Sequence, residues 1–257
     1  MTGEQTVTIG SLNLHCGLSA AGRPFSVAEA IGRLPADIVA LQETWWPRDG
    51  ASGADGLDAT DATDGAGGAD AVAVAARDRR AELIRAQIRD GTSLADLGIA
   101  PRPERGSWGI AVLSRLPVTG YETVDLGLAP GDVASRTALV CSVTAPGGWP
   151  LRLVNTHLTH KFTSPVQLYR LARHLAAAPP VPTVIVGDLN MPRLATRVAG
   201  GYAPTVCGAT FPAHRPLIQL DHLLAGAGVD CCSAAVLPPL GSDHLPVLGR
   251  FGRRGGR

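Results

Sequence analysis

Residues Thr183 to Asn190 read TVIVGDLN: a β-branched run that leads into Gly187, Asp188, Leu189 and Asn190, with Pro192 close behind. Such a run suits a buried strand, and Pro192 opposes a helix directly after it. Strand ends are where α/β architectures expose side chains to ligands, so a carboxylate and an amide two residues apart can face one site. Asp, Asn and Gly also close turns for purely local reasons, and this stretch alone leaves both readings open. Other strand-like runs shift the balance, because several of them also end in acids, amides or histidines.

The 257 residues suffice for one large domain with a sizeable core. A formal charge of +1 provides no global basic field for nucleic acid, although a local patch stays open. The N-terminus lacks the basic start and apolar run of a signal peptide, and apolar stretches are cut by Pro or charge before they reach membrane-span length. The five cysteines have no zinc or disulfide spacing, which suggests that most are buried thiols in a reducing, cytoplasmic setting. Adjacent Cys231 and Cys232 suit a redox pair only weakly.

Upstream, Val7–Leu14 reads as a strand carrying Asn13 near its end. Ser26 is an N-cap for a helix over Val27–Leu34 that Pro35 stops, and the strand DIVALQE then brings out Gln42 and Glu43. This βαβ-like opening points to an α/β class. From about 49 to 69 the chain is rich in Asp, Gly and Ala, with Asp55, Asp58, Asp61 and Asp64 three apart; it lacks the order of a calcium loop and reads as a solvated insertion. Asp70–Arg89 reads as a helix with Leu83, Ile84, Gln87 and Ile88 on one side and five arginines as a solvated or phosphate-facing face. Strands follow from Trp108, about Tyr121–Leu126, from Thr137 and from Leu151, spaced by turn residues as antiparallel neighbours would be. A helix over about Pro165–Ala177 takes Val166, Leu168, Leu171, Ala172 and Leu175 as its apolar side. QLDHLLAG, a run near Ala234–Leu237, the turn GSDH and a last strand PVLGRF complete a chain read as a single domain over 1–257.

Collected, the polar residues at strand ends are Asn13, Glu43, Asn155, His157, Asp188, Asn190, Asp221, Asp243 and His244. That set can bind a hard divalent cation through carboxylate oxygen, orient an oxyanion with amides and offer histidine for proton or charge work. Each residue also has a local explanation as a cap or turn former.

In sequence order, the blocks SLNLH, VALQETW, GIAVLSR, LVNTHL, VGDLN, QLDHLL and GSDHLPV resemble those of the endonuclease/exonuclease/phosphatase superfamily, the DNase I-like metal-dependent phosphoesterases. Singly weak, together they span almost all of the chain outside the insertion. The resemblance implies a four-layer α/β sandwich, two mixed sheets face to face with helices outside. It also implies that Glu43 is the principal Mg²⁺ or Mn²⁺ ligand, with Asn13 beside it and Asp243 binding or orienting the metal. Asp188 would position or deprotonate the attacking water, Asn190 would hold water and phosphoryl group, and His157 would donate to a phosphate oxygen. His244, aligned by Asp221, would stabilise the transition state or act as the base. An imidazole beside Asp221 keeps its proton, which favours Asp188 for the water and a charged His244 for the phosphate.

Asn155 reads as a brace for the His157 loop. Trp45 and Trp46 follow Glu43 as stacking surfaces or packing, and Arg136 reads as a phosphate clamp or an ordinary salt bridge. Arg115 and Lys161 are weaker candidates. His15, His160, His174, His214 and His222 match no catalytic position. The expected function is hydrolysis of a phosphodiester, nuclease-like or with a phospholipid headgroup, with a phosphomonoesterase next and a non-catalytic phosphate-binding module last. Near-neutral charge speaks against a dedicated DNA-repair enzyme, and no aromatic membrane-docking hairpin is evident.

Overall fold

The computed structural model describes residues 5–47, 70–160 and 162–255. The Asp/Gly/Ala-rich stretch at 49–69 and Lys161 lie outside the described residues. In chain order the elements are β1 Thr6–Asn13, α1 Val27–Gly32, β2 Ile38–Pro47, α2 Ala71–Asp78, β3 Glu82–Ser93, β4 Arg105–Ser114, β5 Val118–Gly127 and β6 Arg136–Thr144. They continue with β7 Pro150–His157, α3 Ser164–Ala177, β8 Thr183–Asp188, β9 Ala203–Pro204, β10 Asp221–Ala225, β11 Val229–Val236 and β12 Val247–Arg253. Short 3-10 helices occupy His15–Gly17 and Arg193–Ala199.

The strands form two six-stranded sheets, ordered β11-β12-β1-β2-β4-β3 and β5-β6-β7-β8-β10-β9. Both are mixed: β1 pairs parallel with β2 and β7 parallel with β8, and the other pairings are antiparallel. Ile9, Ile38, Ile110 and Phe251 of one sheet meet Leu139, Leu153, Val184 and Leu223 of the other in the central core. Ile31 of α1 and Val72 of α2 cover the outer face of the first sheet through Leu12, Val39 and Leu113. Leu168, Leu171 and Leu175 of α3 cover the second through Val140, Val154 and Ile185. This is the four-layer α/β sandwich of the DNase I-like fold.

The two-residue period of a strand explains where polarity collects. Along β1 the inward row runs Val7, Ile9, Ser11, Asn13; along β7 it runs Leu151, Leu153, Asn155, His157; along β8 it runs Val184, Val186, Asp188. Each row begins apolar and ends polar at the same end of the sandwich. Between core and end lies a layer of buried amides: Gln42 Nε2 donates to Asn155 Oδ1 at 2.7 Å, and Asn155 Nδ2 donates to the carbonyls of Leu41 and Ala111 at 3.0 and 2.9 Å. Asn155 therefore stitches β7 to β2 and β4 across the sandwich, not the loop after His157 as the sequence suggested.

Two expectations change. The span 70–89 is not one helix: α2 ends at Asp78, Arg80 turns left-handed at φ 52°, and the remainder is β3 paired with β4. Tertiary pairing overrides a helical spacing that Leu83, Ile84, Gln87 and Ile88 share with a half-buried edge strand. Three of its five arginines are engaged, and Arg77 and Arg80 are exposed: Arg79 donates to the carbonyls of Ile31, Leu34 and Ala36, Arg89 donates to that of Val133, and Arg85 pairs with Asp70 while lying over Trp46. Val166 is the second correction. It lies two residues, roughly 200° of helical rotation, from Leu168, and points outward, 49% exposed. Among the described residues no helix is long and apolar enough to cross a membrane.

Candidate active site

The polar ends of the inward rows converge. A bulge in β2 between Leu41 and Thr44 gives that strand one residue more than β4, and Glu43 sits there left-handed at φ 48°. A non-glycine residue in that region costs about 1–2 kcal/mol, and here the cost turns the carboxylate into the site. Gly187, at φ 138°, tolerates no side chain, because a Cβ would lie 2.0 Å from the Thr156 carbonyl oxygen. That close approach sets β8 against β7 and registers Asp188 opposite His157, while Asp188 also faces Asp221 across β10.

Asn13 is the hub. Its Nδ2 donates to Glu43 Oε1 and to Asp188 Oδ2, both at 3.1 Å, while its Oδ1 accepts from the His15 backbone N–H at 2.9 Å. Asp188 Oδ1 accepts from the Asn190 N–H at 2.9 Å, an Asx turn that coexists with the site role. Asn190, left-handed at φ 49°, donates through Nδ2 to the Leu158 carbonyl at 3.0 Å and lies 3.2 Å from His157 Nε2. His157 Nε2 lies 3.8 Å from Glu43 Oε1 and 3.7 Å from Asp188 Oδ2.

Asp188, His244 and Asp221 form a buried chain. His244 Nδ1 lies 2.9 Å from Asp221 Oδ2, and its Nε2 lies 3.7 Å from Asp188 Oδ2. Burial alone would push His244 down, but the charges of Asp221, Asp188 and Asp243 and the Asp221 hydrogen bond raise it to about 10. Burial raises Asp188 to about 7, with Asp221 adding to the rise while His244 and the bonds from Asn190 and Asn13 oppose it. His157 moves the other way: burial, then the Arg136 charge, then His244 and His160 hold it well below its ordinary value, so it is neutral near pH 7.

Asp188, Asp221 and His244 each place a donor atom within 4.8 Å of the others, a spacing that a metal ion could also span. A protonated imidazole has no free lone pair, so this trio is better described as a carboxylate–imidazolium–carboxylate chain. The oxygen donors that fit a hard cation are Glu43 and Asp243, both partly accessible, with Asp188 and Asn13 adjoining. Buried acids this close together need positive charge beyond His244, so the residues present fit a divalent ion.

Arg136 is not open to a ligand. Its Nε and Nη2 donate to Asp132 Oδ2 and Oδ1, both at 2.8 Å, in an almost fully buried pair. Its guanidinium lies 5.2 Å from the Trp108 ring and 3.4 Å from His157 Nδ1, so it backs the histidine from behind. Trp45 and Trp46 lie within β2, and the Trp45 ring fills the space over Gly106, where a Cβ would be 2.4 Å away. Arg115 pairs with Asp37, which precedes β2 and lies away from the Glu43 bulge. His222, fully buried, meets the Met191 carbonyl at 2.9 Å.

Three contributors escape sequence reasoning. His15 holds Asn13 through its backbone and brings Nδ1 to 3.6 Å from Asp243 Oδ1. Its place two residues after Asn13 in SLNLH is the available signal. Ser242 Oγ donates to the Asn13 carbonyl at 2.7 Å, locking the GSDH turn to β1. The Phe211 ring packs 4.8 Å from the His244 ring, and no local pattern marks it.

A buried acid at the mouth of a DNase I-like sandwich, flanked by an imidazolium and hard-cation ligands, defines a phosphoester-cleaving class of protein. The family model described as Endonuclease/Exonuclease/phosphatase family matches residues 10–244, and the chain belongs to that family. Among solved structures, an endonuclease/exonuclease/phosphatase from Beutenbergia cavernae is similar at TM-score 0.73 and 21% identity, over 98% of this chain and 72% of that one. A family protein from Bacteroides thetaiotaomicron follows at TM-score 0.71 and 12% identity, over 99% and 100%. ANGEL2, described as a 2',3'-cyclic phosphatase, is similar at TM-score 0.64 and 13% identity, over 96% and 95%. No curated protein sequence matches the chain.

Proposed function

We propose that the protein is a Mg²⁺- or Mn²⁺-dependent phosphodiesterase that cleaves its substrate by in-line attack of water. The Asp188–His244–Asp221 chain carries this reading: it pairs an acid held near neutrality with an imidazolium held charged. A carboxylate of that pKa is suited to take a proton from water near pH 7. Asn190 and Asn13 restrict its rotation, so the water it holds has one approach to phosphorus. His244 Nε2–H would donate to a non-bridging oxygen as charge grows there, and Asp221 keeps that proton in place. Neutral His157 would add a hydrogen bond without a charge. Glu43 and Asp243, with Asn13 beside them, would hold the cation, which when bound neutralises phosphoryl charge.

The charge balance favours a diester. Among the described groups around Asp188, His244 is the cation with a nitrogen left for the substrate: Asp221 takes its Nδ1 and its Nε2 faces the site, whereas His157 is neutral and Arg136 is held by Asp132. A monoanionic diester needs less compensation than a dianionic monoester. The similarity to ANGEL2 supports the phosphoester class, and the cytoplasmic setting belongs to the same proposal. The test is hydrolysis of bis-p-nitrophenyl phosphate and p-nitrophenyl phosphate with Mg²⁺, Mn²⁺ or EDTA. Metal-dependent turnover of the diester should dominate, and Asp188→Ala and His244→Ala should each lose ~10²-fold or more with the fold intact. Preference for the monoester would replace this reading with a phosphatase; phosphate binding without turnover would replace it with a binding module.

A further inference from the structure

The outward side of α3 carries apolar side chains that its packing does not use. Phe162, just before the helix, is fully exposed, and Val166 and Tyr169 follow it at 49% and 51% exposure. Val166 and Tyr169, three apart, share one stripe of α3, and Phe162 precedes it in the loop. Leu194 and Val198, 68% and 40% exposed, lie on the 3-10 helix Arg193–Ala199, which packs beside α3. The stripe begins at the active-site rim: Phe162 lies on the loop that follows His157, and Ser164 Oγ donates to the Asn190 carbonyl at 3.3 Å.

Charge around this face is predominantly positive. Arg170, Arg173 and Arg197 are exposed, and between Phe162 and Gly200 the single carboxylate in the sequence is Asp188, buried in the site. The acid that reaches α3 from outside is Glu122, 3.8 Å from His174. Large exposed apolar groups amid cations suit an anionic amphiphile, which accepts hydrocarbon contact and charge together. Nucleic acid suits them less: Phe162 and Tyr169 offer rings to a base, but Val166, Leu194 and Val198 do not.

We infer that the face formed by α3 and the neighbouring 3-10 helix docks on an anionic phospholipid bilayer, with the active-site end beside the headgroups. This surface goes beyond the phosphodiesterase reading and is tested by binding alone. The experiment is co-sedimentation of the whole protein with phosphatidylcholine vesicles made with and without phosphatidylglycerol, over a range of salt. Binding should require phosphatidylglycerol, weaken with salt, and fall ~10-fold or more in Phe162→Ser/Leu194→Ser and in Arg173→Glu/Arg197→Glu. All four positions are exposed, so melting temperature and turnover of a soluble diester should hold. Asp188→Ala protein should sediment like wild type, whatever its turnover. Absence of binding, or equal binding by both double variants, would overturn the inference. So would a concentration-dependent dimer that the Phe162→Ser/Leu194→Ser change abolishes, since a second copy would then cover the face.

Discussion

Replacing Asp221 with Asn separates charge from shape at His244. Asp221 Oδ2 lies 2.9 Å from His244 Nδ1, and an Asn side chain can keep an oxygen there to accept the same hydrogen bond. What disappears is the foremost of the carboxylate charges that, against burial, take His244 to about 10. An opposite charge this close is worth ~1–3 pKa units, which brings the variant's imidazolium to roughly 7–9. If phosphate stabilisation uses charged His244, the rate falls as pH rises through that pKa. Wild-type kcat/KM should therefore hold until near pH 10, and the variant should decline earlier. A variant pKa of ~8 leaves about a tenth of the enzyme charged at pH 9, roughly a tenfold deficit that closes toward pH 6. The assay is the pH profile of kcat/KM on bis-p-nitrophenyl phosphate for both proteins. An alkaline limb unmoved from near pH 10 would show that His244 is not the titrating group. No loss at any pH would show that Asp221 acts through shape alone.

Two further outcomes follow from burial. Asp188 has its pKa raised to about 7 by burial, so its contribution to stability is present below the unfolded value of ~3.9 and is lost as pH rises through about 7. Asp188→Asn should thus abolish turnover yet raise Tm in EDTA at pH 8, by about 1–3 kcal/mol of stability, with little gain at pH 4; a lower Tm at pH 8 would count against the assignment. Asn155→Ala removes one acceptor from the Gln42 amide, which keeps Ser11 Oγ at 3.1 Å, and takes the Asn155 donor from the Leu41 and Ala111 carbonyls. At ~1–3 kcal/mol per buried unpaired group, not fully additive, thermal unfolding should show a loss of about 3–5 kcal/mol while kcat of the folded fraction changes little; a loss below ~1 kcal/mol would mean that the amide layer relaxes around the gap.

The fold was legible because period-2 rows and short turn-separated runs are local features, and here each row also ends on a candidate site residue. Asn13, His157, Asp188 and Asp221 could be placed at strand ends from spacing alone, and the structure gathers them, with Glu43, Asn190, Asp243 and His244, at one end of the sandwich. What spacing cannot encode is the neighbour across space. Leu83 to Ile88 satisfy a helical period and a strand edge equally, and pairing with β4 decides between them. Arg136 stands before a strand as a phosphate clamp would, but Asp132 claims it from four residues upstream and turns it into the backing of His157. Val166 shows the opposite limit: its angle from Leu168 was computable from the helix period, and counting it with the core concealed an apolar face. Residues that continue a periodic row are read reliably from sequence, whereas a charged residue has a meaning fixed by whichever opposite charge the fold brings to it. The same logic explains Asp188 and His244. Neither is unusual as a residue; burial beside each other and beside Asp221 moves their proton affinities to about 7 and about 10, and only the folded chain supplies that proximity.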